Sequence, residues 1–171
     1  MPFASAISVR EALLGDAAIM AAIHSACFPR CWDEAAFAQL LAEPLCLSLL
    51  AAAQGDNSPQ AFVIVRGVAD QAELLTLAVL PDNRRQGLAR ALVGASAAAC
   101  REAGAKRLFF EVEDGNDAAL LLYRSFGAVA VGSRPAYYEN GADAAILSLA
   151  LSGRGPDDAA SRAPTPQFRR P

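Results

Sequence analysis

The chain has 171 residues, 54% hydrophobic and 19% charged, with a formal net charge of −3. That length suits one domain with a core that needs no staples, and a mean hydropathy of +0.25 excludes a disordered chain. No run of about 18 apolar residues escapes a charge or a turn former, so a membrane-spanning helix is not expected. An N-terminus without a basic segment, an apolar core and a small-residue cleavage site gives no sign of secretion.

Ser5 to Arg10 alternates weakly and reads as a first strand. Asp16 precedes Ile19, Ala22, Ile23 and Ala26 at helical spacing and is placed to cap that helix. Phe28-Pro29 ends it, because proline lacks a donor and restricts the residue before it. Asp33 reads as the N-cap of a second helix through Leu41. Cys46 to Ala53 is an apolar strand, closed by a turn over Gln54-Gly55-Asp56-Asn57-Ser58-Pro59. Ala61 to Val68 and Glu73 to Leu80 are the next strands, joined by a polar turn around Asp70. Gly87 to Ala103 is the longest helical pattern, with Gly104 as its stop. Arg107 to Val112 reads as a strand. Asn116 opens a helix through Phe126, ended by Gly127. Ala128 to Val131 and Ala144 to Leu151 complete a β-α-α-β-β-β-α-β-α-β-β order. Such mixing predicts an α+β fold, and only the strand-helix-strand from Glu73 to Val112 demands a parallel neighbour. Residues 1–151 form the expected domain. Residues 152–171, with Gly, Pro, Ser and Arg and little to bury, read as a disordered tail.

Four of the fifteen Lys and Arg and two of the eighteen Asp and Glu fall from Ser152 onward, which leaves a net charge of −5 to residues 1–151. An acidic body disfavours nucleic-acid binding, which needs basic stripes, and suits a cationic partner. Cys27, Cys31, Cys46 and Cys100 are too few and too scattered for a disulfide framework, and predict buried thiols in a reducing cytoplasm. His24, Cys27 and Cys31 have no obvious fourth ligand, and Pro29 breaks their helical spacing. Glu111, Glu113, Asp114 and Asp117 lack a calcium-loop pattern. No metal is expected from either group.

The most informative segment is Leu77-Ala78-Val79-Leu80-Pro81-Asp82-Asn83-Arg84-Arg85-Gln86-Gly87-Leu88-Ala89-Arg90. A strand stops at proline, a polar loop follows, and a helix opens on small residues. Exposed N–H groups at a helix start form an anion site, and Gly87 and Ala89 leave room for a phosphate. Arg84, Arg85 and Arg90 add positive charge within an acidic body. The segment therefore reads as a pyrophosphate cradle, with a plain helix start and solvated arginines as the alternative. It is neither a P-loop nor a dinucleotide fingerprint, which disfavours a kinase or a dehydrogenase.

Arg84-x-x-Gly87-x-Ala89 after a Leu-Ala-Val strand resembles the acyl-CoA-binding signature of the GNAT N-acetyltransferase superfamily. Leu108-Phe109-Phe110-Glu111-Val112, Asn116 and Leu122-Tyr123-Arg124-Ser125-Phe126-Gly127-Ala128 follow in that family's order. The resemblance covers Glu73 to Leu151 well and the N-terminal half more loosely. Phe28-Pro29, Trp32, Glu111-Val112, Asn116, Tyr123 and Tyr137-Tyr138 bring it nearest the RimI-like group, which acetylates the N-terminal alanine of a small-subunit ribosomal protein. The resemblance implies a mixed, mostly antiparallel sheet of about six to seven strands flanked by about four helices. It also implies an acetyl-CoA co-substrate and a basic ribosomal-protein N-terminus as acceptor.

Carried over by residue, the backbone of Leu77, Ala78 and Val79 would pair with the acetyl-pantetheine arm. Arg84, Arg85, Gln86, Gly87, Leu88, Ala89 and Arg90 would hold the pyrophosphate, and Asn116 the pantetheine. Glu111 would be the general base and Tyr123 the acid for the leaving thiolate. Phe28, Trp32, Tyr137 and Tyr138 would contact the acceptor. Each has a plainer alternative: Glu111 an exposed strand residue, Tyr123 and the other aromatics core or hairpin packing, Asn116 a helix cap. Some positions depart from the family's pattern. Leu80 stands where a polar residue often precedes the proline, Ala89 replaces the commoner glycine, and Arg30-Cys31 lengthens the loop before Trp32. A small amine or a lysine as acceptor, and a non-catalytic acyl-CoA-binding module, are the competing functions.

Overall fold

A computed structural model describes residues 7–53, 55–56 and 58–151. Positions 5 and 6 of the expected first strand, positions 54 and 57 of the expected turn, and the expected tail at 152–171 lie outside the described residues. The elements run β1 (Ile7–Glu11), α1 (Ala17–Cys27), α2 (Glu34–Ala42), β2 (Cys46–Ala53), β3 (Ala61–Val68), β4 (Gln71–Val79), α3 (Leu88–Glu102), β5 (Arg107–Glu113), α4 (Asp117–Ser125), β6 (Val129–Arg134) and β7 (Ala144–Ala150). Short 3-10 turns at Leu14–Asp16 and Pro81–Asn83 precede α1 and follow β4.

The seven strands form one sheet in the order β1-β2-β3-β4-β5-β7-β6. Every neighbouring pair is antiparallel except β4 with β5, which α3 joins as a crossover. Strand alternation feeds two cores. One face carries Val63, Val65, Leu108, Phe110, Leu147 and Leu149 against α3 and α4, through Leu88, Leu92, Val93, Leu120 and Tyr123. The other carries Leu50, Phe62, Ile64 and Ala78 against α1 and α2, through Met20, Ile23 and Phe37. The fold is thus the expected α+β arrangement.

Local chemistry explains the helix ends. Asp33 Oδ1 accepts the Ala36 N–H at 2.8 Å and caps α2. At the end of α3, Ala105 N–H bonds the Cys100 carbonyl at 2.9 Å and Gly104 N–H bonds that of Arg101 at 3.0 Å. Gly104 sits at φ +93°. This doubly bonded left-handed stop recurs at the end of α4, where Ala128 and Gly127 N–H groups bond the carbonyls of Tyr123 and Arg124. Asp16 departs from expectation, because its carboxylate does not cap α1. Both of its oxygens bond Arg10 at 2.8 Å, and Oδ2 also accepts the Leu13 N–H at 2.7 Å. The Arg10 hydrogen bonds first, with help from the Leu13 N–H and the guanidinium charge, hold the Asp16 carboxyl at about 2, against desolvation. A bidentate arginine six residues away outcompetes the neutral helix start.

One irregularity creates the feature that matters for function. β3 pairs Ile64 with Thr76 but Val65 with Leu74, so Leu75 is an extra residue in β4, a β-bulge. Pairing of β4 with β5 is confined to Gln71–Leu74 and Arg107–Phe110. Beyond Leu74 and Phe110 the two strands no longer pair, and a gap opens in the middle of the sheet.

Candidate active site

The gap is edged by the second half of β4 and by Glu111, Val112 and Glu113 of β5. Ladder alternation fixes what β4 offers to it. Leu80 N–H donates to the Gln60 carbonyl at 2.9 Å, and Ala78 and Thr76 are the next alternate partners of β3. Those residues turn their peptide groups towards β3, so those of Leu77 and Val79 turn the other way, into the gap. The Val79 carbonyl agrees with this, since it accepts from Cys27 Sγ and from Arg84 Nε, each at 3.2 Å. The Leu77 N–H and C=O and the Val79 N–H present an open strand edge to an extended ligand.

At the far end of β4 the chain turns through residues 84–87 into α3. Arg85 at φ +64° and Gly87 at φ +90° both occupy left-handed backbone. A Cβ on Gly87 would come within 3.3 Å of Ile7 Cδ1. No side chain caps α3. Its first intrahelical bond runs from Ala91 N–H to Gly87 at 2.9 Å, so the N–H groups of Leu88, Ala89 and Arg90 have no acceptor within the helix. Three N–H groups at a dipole's positive end, beside exposed arginine, suit a phosphate. The arginines differ in their engagements. Arg84 reaches back to Val79, while Arg90 bonds Ser125 Oγ at 3.0 Å and lies over the Phe126 ring. Gln86 Nε2 donates to the Asp82 carbonyl at 3.3 Å, and Arg85 stays exposed. Asn116 caps α4, with Oδ1 accepting from Ala119 N–H at 3.2 Å.

Glu111 and Tyr123 lie on opposite faces of the sheet. Glu111 follows Phe110 on β5, so its side chain lies on the α1 and α2 face. Its side chain is 8% exposed and pairs with Arg134 at 3.2 Å. Tyr123 is on the other face, 5% exposed, its ring stacked on Phe110 with centroids 4.1 Å apart. Burial, with a smaller contribution from Tyr138, pushes the phenol far above its ordinary range. The phenol is therefore protonated at neutral pH.

The four aromatics expected on the acceptor side occupy two loops. Phe28 and Trp32 lie between α1 and α2, around the buried ring of His24. Tyr137 and Tyr138 lie between β6 and β7 and meet edge to face at 5.3 Å. Arg30 and Glu139 form an ion pair that joins the two loops. Of the four cysteines expected to be buried, Cys100 is buried, Cys27 and Cys46 are half-buried, and Cys31 is exposed in the loop after Pro29. Arg134 and His24 join the neighbourhood of these residues without being expected there. Neither has a local signal: Arg134 meets Glu111 through strand pairing, and His24 meets Trp32 across a loop. Among the described residues no group of His, Cys, Asp and Glu has a metal-holding arrangement, and no helix is long and apolar enough to cross a membrane.

A profile of the acetyltransferase (GNAT) family matches residues 17–128. The [ribosomal protein bS18]-alanine N-acetyltransferase of Escherichia coli K12 is 39% identical over 95 residues, a stretch covering 54% of this chain. That stretch spans 64% of the relative, under two thirds of its length. A Bacillus subtilis 168 protein that carries the same name provisionally is 30% identical over 147 residues, 85% of this chain and 96% of that protein. The crystal structure of the Escherichia coli ribosomal-protein-S18-alanine N-acetyltransferase superposes with a TM-score of 0.78 at 30% identity, over 89% of this chain and 98% of that one.

Proposed function

The chain belongs to the acetyltransferase (GNAT) family, and from that premise we propose that it transfers the acetyl group of acetyl-CoA to the α-amine of a protein N-terminus. The acceptor in this reading is the N-terminal alanine of a basic ribosomal protein, met in the cytoplasm, with residues 1–151 as the enzymatic domain. The observation that carries the reading is the gap between β4 and β5, edged by the Leu77 peptide, the Val79 N–H and Glu111, and leading to the uncapped start of α3.

The chemistry follows from what each group can do. Leu77 and Val79 bond an extended pantetheine arm as an added strand, and a β4 N–H polarises the thioester carbonyl. The start of α3 with Arg85, Gln86 and Gly87 takes the pyrophosphate, and Arg84 and Arg90 brace that loop and helix while adding charge. Asn116 bonds the pantetheine in this reading. An amine attacks only without its extra proton. At pH 7.4 about a quarter of α-amines are free, with pKa about 7.8, against about one in a thousand lysines at about 10.4. An N-terminus thus needs little help in losing its first proton. Glu111 takes the second as the tetrahedral intermediate forms. Tyr123, protonated on the opposite face, donates to the departing sulfur. Direct transfer of this kind needs no covalent enzyme intermediate.

The likeness to the two alanine N-acetyltransferases supports the N-terminal acceptor, as does the joining of the two aromatic loops by Arg30 and Glu139. Phe28, Trp32, Tyr137 and Tyr138 contact the acceptor in this reading. The test is Glu111→Gln, which keeps the shape and the Arg134 neighbour but not the base. A fall in kcat of about 10²-fold or more with an unchanged melting temperature supports the role. Wild-type turnover in that variant rejects it.

A further inference from the structure

The loop between α1 and α2 carries Phe28 and Trp32, and the Arg30–Glu139 ion pair that ties its middle to the β6–β7 loop is exposed on both sides. Phe28 is 36% exposed, Arg30 and Cys31 are exposed, and Pro29 has no N–H to donate. One residue grips the loop at both ends. The His24 carbonyl accepts the Phe28 N–H at 2.9 Å. The His24 ring accepts the Trp32 N–H through Nδ1 at 3.2 Å. That ring is 4% exposed and lies among aromatic rings. Phe28 is at 4.4 Å between centroids, Trp32 stacks at 5.0 Å, Phe37 of α2 is at 5.5 Å and Phe62 of β3 at 6.3 Å. An imidazole buried among phenyl rings costs desolvation that a leucine would not. It is repaid only by something an apolar side chain cannot do, which here is to accept a loop N–H.

The geometry points to His24 as the positioning residue of the acceptor-side loop, fixing Phe28 and Trp32 in place before the acceptor arrives. A preformed wall spares the ordering cost of binding. Accepting through Nδ1 requires that nitrogen to be unprotonated, so the working ring carries its proton on Nε2. The inference rests on the proposed role of Phe28 and Trp32 as acceptor contacts.

Trp32 is the only tryptophan in the chain, so its fluorescence reports the loop without any turnover. His24→Phe keeps an aromatic ring and removes the acceptor nitrogen. His24→Asn keeps an acceptor atom close to the place of Nδ1 and removes the ring. His24→Phe is expected to red-shift the Trp32 emission and raise the acceptor-peptide KM about tenfold, the scale of a lost buried hydrogen bond, with kcat and the acetyl-CoA KM within about twofold. His24→Asn is expected to stay near wild type in both readouts. Wild-type emission in His24→Phe, or equal impairment of the two variants, overturns the inference. So does an emission shift with an unchanged acceptor KM, because the loop would then be held by His24 without serving the acceptor. If the wild-type protein acetylates no peptide, the proposed function fails on its own, while the emission comparison still decides whether His24 sets the loop.

Discussion

Tyr123→Phe separates catalysis from packing at one atom. The ring stacks on Phe110 at 4.1 Å, and the residue's carbonyl accepts the Ala128 N–H that closes α4. Both survive the substitution, and only the hydroxyl leaves. Losing a buried hydroxyl changes stability by about 1 kcal/mol, or about 2–4 °C in melting temperature for a domain of this size. Losing a general acid costs about 10²- to 10⁴-fold in rate. The assay is release of free CoA thiol at saturating acetyl-CoA and peptide, beside a thermal melt of the same sample. The expected result is a melting temperature within a few degrees, an acetyl-CoA KM close to wild type, and kcat down by two orders of magnitude or more. Because burial pushes this phenol up, the wild-type rate should show no fall from its ionisation anywhere below its ordinary pKa of about 10. A kcat within threefold of wild type in a folded variant would refute the assignment and leave Tyr123 as core.

Gly87→Ala puts a Cβ on backbone at φ +90°, 3.3 Å from Ile7 Cδ1. The methyl can move aside, so the expected cost is the left-handed backbone alone, about 1–2 kcal/mol. The acetyl-CoA KM should rise while the acceptor KM holds, and an acetyl-CoA KM equal to that of the wild type would count against the cradle. Asp16→Asn should lower the melting temperature by about 2 °C at neutral pH, modestly because Arg10 is half exposed. The Asp16 carboxyl is depressed from 3.8 to about 2, so its stabilisation is complete above about pH 4 and disappears as pH falls towards 2. The difference between wild type and Asp16→Asn should vanish over that interval in a pH series of melts, and a constant difference would show the pair to be inert.

Much of the fold was legible because local pattern and burial agree in it. β2 and β3 begin and end where their apolar runs do, and glycines at positive φ close α3 and α4 as their positions suggested. Features that depend on distant partners were not legible. Asp16 reads as a cap until Arg10 is brought beside it. Nothing in Glu73 to Leu80 marks Leu75 as the extra residue that parts β4 from β5. β7 lies between β5 and β6 although it follows β6 in the chain. Of the site residues named from sequence, Leu77, Val79 and Glu111 border one gap, Tyr123 stacks under its edge, and Arg85 to Arg90 start the helix beyond it. Asn116, Arg84 and Arg90 bond within the protein as well. The Arg134 partner of Glu111 and the His24 grip on Trp32 arise from tertiary contact, which no local spacing encodes.

The central claim is tested most directly by incubating the protein with acetyl-CoA and one basic peptide that carries a free N-terminal alanine and an internal lysine, then locating any acetyl group by fragmentation mass spectrometry. The account predicts acetyl on the alanine nitrogen and none on the lysine. Acetyl on the lysine alone would contradict the acceptor, and no acetylation of any peptide N-terminus would contradict the proposed function.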